Sequence, residues 1–398
     1  MSEDPILIVG GGIGGIGAGL ALARAGHRVQ VFERSAAFGE IGAGIQLGPN
    51  VMRMFERLGV KEAMLDIGFR PTALVMRDAI AGFEIARVPL GPGFEKRFGQ
   101  PYAVIHRADL HAVLLAALKA QPTAELFPER DVEGFEQDAQ GVTLRFKDGS
   151  TTRGRALIGA DGLWSRIRQQ VIGDGKPIVS GHIAYRAVLP MEEVPEEISR
   201  HDMTVWVGPR IHLVHYRLRR GTLMNLVAVF HSDRYSEGWN ESGEVEELRR
   251  HFAGTRREVR ALLDKINAWK FWVLCWREPR RGWSQGRVTL LGDAAHPTLQ
   301  YLAQGANQAL EDAVCLADML AAHAADLPAA FRAYEDARVL RTGRVQIMSK
   351  VYGEVFHAAH VTAELRNAML AGRTAEQSWD GMAWLYDGPV WPHYGASG

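Results

Sequence analysis

The first part of the chain contains short apolar runs separated by glycines and by one helical period. Pro5–Val9 is a brief apolar run typical of a buried strand, and Gly14–Ala25 follows as a predicted helix that Gly26 ends. Arg28–Glu33 alternates between apolar and polar positions, which predicts a second strand. A strand, a helix and a strand in about thirty residues predict a βαβ unit.

A mixed pattern follows residue 100. Ala103–Ala120 is predicted to be one amphipathic helix. Asp131–Phe146 has the pattern of two strands, and Asp148-Gly149 is a turn signal after them. Ala156–Ala160 is a further apolar run typical of a buried strand.

The middle of the chain, roughly His182 to Trp276, alternates between polar and apolar positions, as in MTVWVGP, IHLVHYRL and LMNLVAVF. This alternation is typical of an antiparallel sheet. Arg287–Leu291 returns to the buried-strand pattern, and a long helical stretch is predicted from about Gln304 to beyond Val351. The sequence therefore predicts an α/β protein. In it, a Rossmann-like nucleotide-binding domain is interleaved with an antiparallel β-sheet domain and is followed by a C-terminal helical region.

Composition excludes several classes of protein. Lys plus Arg and Asp plus Glu both number 46, so the net charge gives no sign of a nucleic-acid or membrane-surface partner. Cys275 and Cys315 are too few for a disulfide framework, and we expect a reducing, cytoplasmic environment. Ile6–Ala25 is apolar but interrupted by glycines and lacks a basic leader, so neither a signal peptide nor a transmembrane segment is expected.

The first chemical motif is Gly10-x-Gly12-x-x-Gly15, which comes directly after a predicted strand and opens a predicted helix. Glycines there allow a tight turn and let the backbone approach a pyrophosphate at the helix N-terminus. Glu33 ends the second strand, where a carboxylate can bind a ribose hydroxyl. The unit predicts a dinucleotide site but does not distinguish NAD from FAD.

Two further segments favour FAD over NAD as the cofactor. One is ALIGADGLWSRIRQQVIG, with Asp161, and the other is GRVTLLGDAAHPTLQYLAQGANQALEDA, with Asp293. Together with the N-terminal glycines they resemble the fingerprints of the group A flavoprotein monooxygenases. The resemblance extends over nearly the whole chain and includes GEIGAGIQLGPN (Gly39–Asn50) and HRADL (His106–Leu110).

The resemblance implies FAD as cofactor and NAD(P)H as co-substrate. Asp161 is expected near the pyrophosphate and Asp293 at the FAD ribitol. The remaining residues expected to bind FAD are Arg34, Gln46, Arg107, Gly305 and Ala306. The last two open a helix whose free N–H groups and positive dipole end would stabilise reduced, anionic flavin by about 0.3–2 kcal/mol.

With FAD as the expected cofactor, we expect the following domain boundaries. The FAD-binding domain takes residues 1–75, 100–181 and 277–350, and the substrate-binding domain takes 76–99 and 182–276. Residues 351–398 form a C-terminal tail. Its Trp379, Trp384 and Trp391 are expected to pack either on the chain's own core or on a partner chain in a homodimer.

The segments QPYAVIHRADLH, GPRIHLVHYRL and, above all, HPTLQYLAQGANQALEDA are similar to those of the 3-hydroxybenzoate 6-hydroxylases of this family. The similarity implies hydroxylation of a phenolic acid by O2 through a flavin C4a-hydroperoxide, with 3-hydroxybenzoate converted to gentisate. It implies the pocket residues Asp78, Tyr102, His212, Tyr216 and Gln300. In the predicted strand IHLVHYRL, residues two apart share a face, so His212 and Tyr216 would line one cavity.

Roles for these residues follow from the expected chemistry. An electrophilic oxygen needs an electron-rich ring, so the phenol must lose its proton. His212 is expected to accept that proton because histidine titrates near neutral pH. Gln300 would hold the phenol oxygen, Tyr216 would relay a proton or orient the ring, and Tyr102 would bind the carboxylate. The role of Asp78 is left open, because a lone carboxylate beside an anionic substrate is unfavourable.

Other interpretations remain open from the sequence. A 6-hydroxynicotinate 3-monooxygenase or a salicylate 1-hydroxylase would keep the chemistry and change the ring. A nicotinamide-dependent dehydrogenase without flavin, or a non-catalytic FAD-binding protein, belongs to another class. His212 and His215 point to opposite faces of their strand and no other spacing matches a metal motif, so no metal is expected.

Overall fold

The computed structural model describes residues 4–39, 42–198, 201–233 and 241–394, and these contain four β-sheets. Glu40 and Ile41, which belong to the Gly39–Asn50 segment, lie outside the described residues. The strands are β1 (Ile6–Val9), β2 (Val29–Phe32), β3 (Gly44–Leu47), β4 (Ala73–Asp78), β5 (Glu84–Pro89), β6 (Ala103–His106), β7 (Ala124–Phe127), β8 (Val132–Gln137), β9 (Val142–Phe146), β10 (Thr151–Gly154), β11 (Ala156–Gly159), β12 (Ile178–Pro190), β13 (Met203–Gly208), β14 (Ile211–Leu218), β15 (Leu223–His231), β16 (Glu241–Gly243), β17 (Trp269–Trp276) and β18 (Val288–Leu290).

The helices lie mainly around the first sheet and at the C-terminal end. They are α1 (Ile13–Arg24), α2 (Pro49–Arg57), α3 (Lys61–Ile67), α4 (Pro92–Phe98), α5 (Arg107–Lys119), α6 (Arg166–Val171), α7 (Val245–Phe252), α8 (Arg257–Leu263), α9 (Gly305–Ala322), α10 (Leu327–Phe356), α11 (His360–Leu370) and α12 (Ala375–Tyr386). Short 3-10 turns include Gly292–Ala294 and Gln300–Leu302.

A parallel sheet of five strands, in the order β18-β11-β1-β2-β7, carries the predicted βαβ unit. Every residue of β1 is buried, as its apolar run predicts for a central parallel strand. Helix α1 packs against α9, and its small residues allow the approach: a Cβ added at Gly17 would lie 2.6 Å from Leu310. The Rossmann-like part of the predicted fold is confirmed.

The second large sheet has eight strands in the order β16-β17-β12-β15-β14-β13-β4-β5. All its pairs are antiparallel except β13 with β4, which run parallel. Its strands come from residues 73–89 and 178–276, so two separate stretches of chain build one sheet. Because β4 begins at Ala73, the boundary predicted after residue 75 falls inside that strand.

Two predicted helices differ from the structure. Ala103–His106 is not helical: it forms β6 and pairs antiparallel with β3, so the helix begins only at Arg107. Pairing with a distant strand has overridden the local periodicity there. The long helical stretch is broken after α9, and Asp326 starts α10 by accepting a hydrogen bond from the Ala329 N–H at 2.9 Å.

The C-terminal tail folds back on the chain's own surface. Trp391 donates its indole N–H to Asp318 at 2.9 Å, and Trp379 donates to the Pro89 carbonyl, also at 2.9 Å. The guanidinium of Arg344 lies 4.3 Å from the ring centre of Trp384. Among the described helices, none has both the length and the apolar character that a membrane span requires.

Candidate active site

One large cavity, of about 1340 Å³, is lined by residues of both large sheets and of the C-terminal helices. Its volume exceeds the 300–1,000 Å³ or so of ordinary small-molecule pockets, so it has room for a large cofactor and a small ligand together. The predicted site residues that line it are Gly10, Gly12, Glu33, Arg34, Gln46, Tyr102, Arg107, Asp161, His212, Tyr216, Asp293, Gln300, Gly305 and Ala306.

The glycine turn after β1 forms one wall. Gly10 has a φ of +113°, and a Cβ there would lie 2.3 Å from the Ala160 carbonyl oxygen. Gly15 does not line the cavity, but a Cβ on it would lie 1.9 Å from the Gly10 carbonyl oxygen. Only glycine allows α1 to begin this close to the turn. The backbone at Gly10 and Gly12 is therefore left open to a ligand.

Glu33 is held at the end of β2 by two backbone hydrogen bonds. Its Oε2 accepts from the Gly11 N–H at 2.8 Å, and its Oε1 accepts from the Ser35 N–H at 2.8 Å. An ionised carboxylate has about four acceptor positions, so two of them remain for a ribose hydroxyl. The carboxylate is thereby fixed beside the glycine turn.

Asp161 lines the cavity at the end of β11 and fixes the start of α6. It accepts hydrogen bonds from the Ser165 hydroxyl at 2.5 Å and from the Arg166 N–H at 2.8 Å. Burial raises its pKa although these bonds favour the carboxylate. One helical turn further on, the buried Arg168 donates to the carbonyl oxygens of Ala294 and Ala295 at 2.8 and 2.6 Å. The two motif segments are thus joined directly.

Asp293 and the start of α9 face the cavity together. A Cβ on Gly305 would lie 3.7 Å from the Asp293 Oδ1, so the aspartate and the helix N-terminus are neighbours. The N-cap residue, Gln304, forms no capping hydrogen bond through its side chain. The N–H groups of the first turn, including those of Gly305 and Ala306, point toward the cavity end with the positive end of the helix dipole.

A buried ionic network that includes two residues of α9 was not predicted from the sequence. Asp312 accepts hydrogen bonds from the Gly292 N–H at 3.0 Å, the His296 Nε2 at 2.6 Å and the Arg338 Nε at 2.7 Å. Glu311 forms an ion pair with Arg338 at 2.7 Å. These contacts fix the segment around Asp293 against α9. The signal in the sequence was the adjacent pair Glu311-Asp312 inside a largely apolar helix.

The donor groups present fit FAD. A backbone turn with no Cβ at Gly10, a carboxylate at Glu33 and a helix N-terminus at Gly305 suit a pyrophosphate, a ribose and an anionic ring edge. Together with Asp161, they come from three separate parts of the chain and line the same cavity. Arg107 and Gln46 line it as well, at the start of α5 and in β3.

One face of β14 forms another wall of the cavity. His212, Val214 and Tyr216 line the cavity, whereas Leu213 packs into the separate core on the opposite face of the sheet. The alternation predicted for this strand is therefore observed. Tyr216 shares a hydrogen-bond partner with Tyr102, because both phenols bond to the Gln46 side chain, and the Tyr102 hydroxyl donates to the Gln46 Oε1 at 2.6 Å.

His212 differs in its electrostatics from what the sequence predicted. It is only 2% exposed, and burial, aided by His182, lowers its pKa to about 3. The ring is therefore neutral at physiological pH, but its protonated form is far less stable than that of an ordinary histidine. Its Nδ1 lies 2.7 Å from the Nε2 of His357, which leaves Nε2 as the nitrogen for a ligand in the cavity.

Gln300 lines the cavity from the 3-10 turn Gln300–Leu302. Asp78 does not line it, and the prediction that it is a pocket residue is corrected here. Its Oδ1 accepts hydrogen bonds from the N–H groups of Ile80 and Ala81 at 2.8 and 2.7 Å, so it stabilises the turn between β4 and β5. A sequence motif cannot separate a turn aspartate from a pocket aspartate, because both follow a strand.

Three further histidines gather behind His212. His182 in β12, His231 in β15 and His357 after α10 have ring nitrogens that all lie within 4.8 Å of one another. His182 and His231 are direct cross-strand partners, whereas His357 comes from a helix end far along the chain. No spacing rule links these positions, so the group was missed. The absence of a metal stays a prediction.

Comparisons with known proteins agree with this geometry. The model of a family described as "FAD binding domain" matches residues 3–345. The chain is 45% identical to the 3-hydroxybenzoate 6-hydroxylase of Polaromonas naphthalenivorans (strain CJ2), over 97% of this chain and 96% of the relative. It is 44% identical to 3-hydroxybenzoate 6-hydroxylase 1 of Aquipseudomonas alcaligenes, over 96% and 98%. Klebsiella pneumoniae HpxO in complex with FAD and uric acid superposes with a TM-score of 0.84 at 26% identity, covering 96% of each chain.

Proposed function

The chain belongs to the FAD-binding-domain family as an FAD-dependent aromatic-ring monooxygenase, and we propose that it converts 3-hydroxybenzoate to gentisate with NAD(P)H and O2. In the balanced reaction, one oxygen atom of O2 enters the ring para to the phenol, and the other leaves as water. NAD(P)H supplies the two electrons. FAD, when bound, accepts those electrons and activates the oxygen.

The observation that carries this proposal is a single cavity that holds two sets of groups. The cofactor-binding groups of three distant segments and the polar side chains of His212, Tyr216 and Gln300 all line it. A ring bound against β14 would therefore lie next to a flavin held at the start of α9. Val214, between the histidine and the tyrosine on the same strand face, supplies an apolar contact for the ring.

His212 is the group we assign to removal of the phenolic proton. Burial raises the pKa of Tyr216 and of Tyr102, so both phenols stay protonated and act as hydrogen-bond donors. When the Nδ1 of the neutral His212 donates its proton to His357, its Nε2 is an acceptor. Deprotonation increases electron density at the carbon para to the oxygen, where the new bond forms.

Orientation of the substrate is assigned to the amide and the phenols. Gln300 would donate to the phenolate oxygen and keep it beside His212. Tyr102 would bind the substrate carboxylate after its hydroxyl turns from Gln46, which then keeps its bond to Tyr216. Both contacts are polar groups set in an otherwise apolar pocket, which is how small aromatic acids are oriented.

The test compares three acids with the purified yellow protein. We expect NADH or NADPH oxidation and oxygen uptake to be stimulated by 3-hydroxybenzoate, with gentisate as the product. Salicylate and 6-hydroxynicotinate are expected to give slower turnover. Production of a pyridine diol or catechol at a higher rate would transfer the assignment to another ring, and failure of all three acids to stimulate reduction would refute it.

A matched variant tests the role of the base. His212→Ala is expected to slow hydroxylation by about 10²–10⁴-fold and to leave FAD reduction by NAD(P)H largely unchanged, as measured by stopped-flow of the two half-reactions. His215→Ala, on the opposite face of the same strand, serves as control because its side chain does not line the cavity. Equal slowing of both half-reactions by His212→Ala would contradict its assignment as base.

A further inference from the structure

A continuous row of three imidazole rings begins at the candidate base, His212. The Nδ1 of His212 lies 2.7 Å from the Nε2 of His357, and the Nδ1 of His357 lies 3.0 Å from the Nε2 of His231. His212 and His357 are 2% and 7% exposed, whereas His231 is half-buried at the end of β15. This row of rings thus begins at the cavity and ends at a partly exposed histidine.

Neutral rings in this arrangement have two consistent sets of proton positions, with every proton on Nδ1 or every proton on Nε2. Burial lowers the pKa of His357 and of His231, with further lowering by neighbouring histidines and by Arg210. A neutral imidazole carries one N–H, so each contact has one donor and one acceptor. If every ring carries its proton on Nδ1, then His212 donates to His357, His357 donates to His231, and the His212 Nε2 is left as an acceptor toward the cavity.

The low pKa of His212 means that its Nδ1 proton needs an acceptor when Nε2 takes up the phenolic proton. With a pKa of about 3, His212 cannot retain a proton taken from a phenol, whose ordinary pKa is near 10. It can accept at Nε2 only if the proton on Nδ1 leaves at nearly the same time. The His357 Nε2 is the acceptor placed to receive it.

We infer that His212, His357 and His231 form a relay that carries the phenolic proton of the bound substrate from the buried cavity to solvent. The inference rests on the proposed function. The phenol O–H bond breaks as His212 Nε2–H forms. His212 Nδ1–H breaks as His357 Nε2–H forms, and His357 Nδ1–H breaks as His231 Nε2–H forms. The proton on His231 Nδ1 leaves to water, so charge balances without an imidazolium at rest.

The surroundings favour a relay over a cation site. The guanidinium of Arg210 acts on His182, His231 and His357 and lowers the pKa of all three. The same positive field disfavours a divalent metal. His182 is occupied by the Tyr301 hydroxyl, and its ring lies against that of His231, with ring centres 4.2 Å apart. His251 is a further titratable neighbour that acts on His231.

The test replaces the middle ring without removing its hydrogen-bonding group. In His357→Gln, the amide oxygen can still accept from the His212 Nδ1, so the base stays oriented, but the amide cannot pass a proton on. The readout is the appearance of substrate phenolate absorbance and of a proton in weakly buffered solution with an indicator dye. Both are followed after mixing the oxidised, FAD-loaded enzyme with 3-hydroxybenzoate.

We expect His357→Gln to slow phenolate formation and proton release by about 10²-fold at little change in the dissociation constant of the substrate. His231→Ala should show the same defect, and added imidazole should restore its rate because the residue removed is partly exposed. His215→Gln is the matched control. It replaces an equally buried histidine whose ring nitrogens make no hydrogen bond within the described residues, and it should release the proton at the wild-type rate.

Distinct outcomes separate this inference from the proposed function. Wild-type rates of phenolate formation in both His357→Gln and His231→Ala would overturn the relay, while turnover of 3-hydroxybenzoate by the wild-type enzyme would still support the function. If His357→Gln does not fold, the surface variant His231→Ala decides alone. Slow release in His231→Ala that imidazole does not restore would also overturn the relay, since it would indicate a structural role.

Discussion

Replacing Arg338 with an uncharged residue is expected to lower the free energy of unfolding and also to weaken FAD binding. Arg338 is fully buried and pairs with Glu311 and Asp312 at 2.7 Å each, both carboxylates being fully buried as well. Their positively charged and hydrogen-bonding neighbours hold the pKa of each carboxyl at about 2. Arg338→Met keeps much of the volume but leaves both carboxylates under-compensated, and losing one partner of a buried pair costs about 3–5 kcal/mol.

The sign of the pH dependence follows from the lowered pKa values. A carboxyl whose pKa is lowered on folding stabilises the protein above its ordinary value, here 4.5 for Glu311 and 3.8 for Asp312. That stabilisation is lost as pH falls from there toward about 2. The full effect of Arg338→Met is therefore expected at neutral pH, in urea unfolding monitored by tryptophan fluorescence with FAD in excess.

A neighbouring arginine provides the control. Arg341 also pairs with Glu311 at 2.7 Å but is partly exposed, and Arg341→Met leaves Arg338 in place beside both carboxylates. It should reduce the free energy of unfolding by a smaller amount and should not raise the FAD dissociation constant. A loss below about 1 kcal/mol in Arg338→Met, or equal losses in the two variants, would refute the reasoning.

Three further predictions address the cofactor, the substrate and pH. Asp293→Ala should raise the FAD dissociation constant by about 10–100-fold through loss of charge-assisted hydrogen bonds, and a variant that purifies fully yellow would count against it. Gln300→Ala should raise KM about 10-fold or divert NAD(P)H oxidation to H2O2, measured with catalase, and unchanged coupling would dismiss the contact. Lowering the pH from 6.5 toward 4 should reduce stability by about 1.4 kcal/mol per pH unit for each of His212 and His215, whose folded pKa values are about 3 and 4. In this pH range only the unfolded chain binds protons at these two histidines, so unfolding measured at a series of pH values tests the prediction. In a His215→Leu variant, stability should decrease less steeply as the pH is lowered.

The parts of the fold that local pattern controls could be predicted. The apolar run of β1, the glycine turn and the alternation of β14 each depend on residues close together in sequence, and each is observed. The strand β6 could not be predicted, because its partner β3 lies about sixty residues earlier and local periodicity favoured a helix. The break between α9 and α10 has a local signal at Asp326, followed by a proline, that the long helical pattern obscured.

The candidate site likewise contains residues that could be predicted from the sequence and residues that could not. Gly10 was predicted from the spacing of the glycine motif and Asp293 from the family resemblance, and both line the cavity. Asp78 was assigned wrongly, since only the turn it stabilises reveals its function. His357 was missed because its neighbours His212 and His231 lie in strands far from it in sequence. Such a contact depends on how a helix end packs on a sheet, which no pattern within either element contains.

The alternation of side chains along β14 has a consequence for changing the substrate range of this enzyme by substitution. Because His212, Val214 and Tyr216 point to the cavity while Leu213 packs in a different core, the two sets of positions can be varied independently. Libraries restricted to position 214 should therefore change which ring is accepted without altering the separate core around Leu213. Adjacent positions of a single strand thus serve the ligand cavity and a separate apolar core.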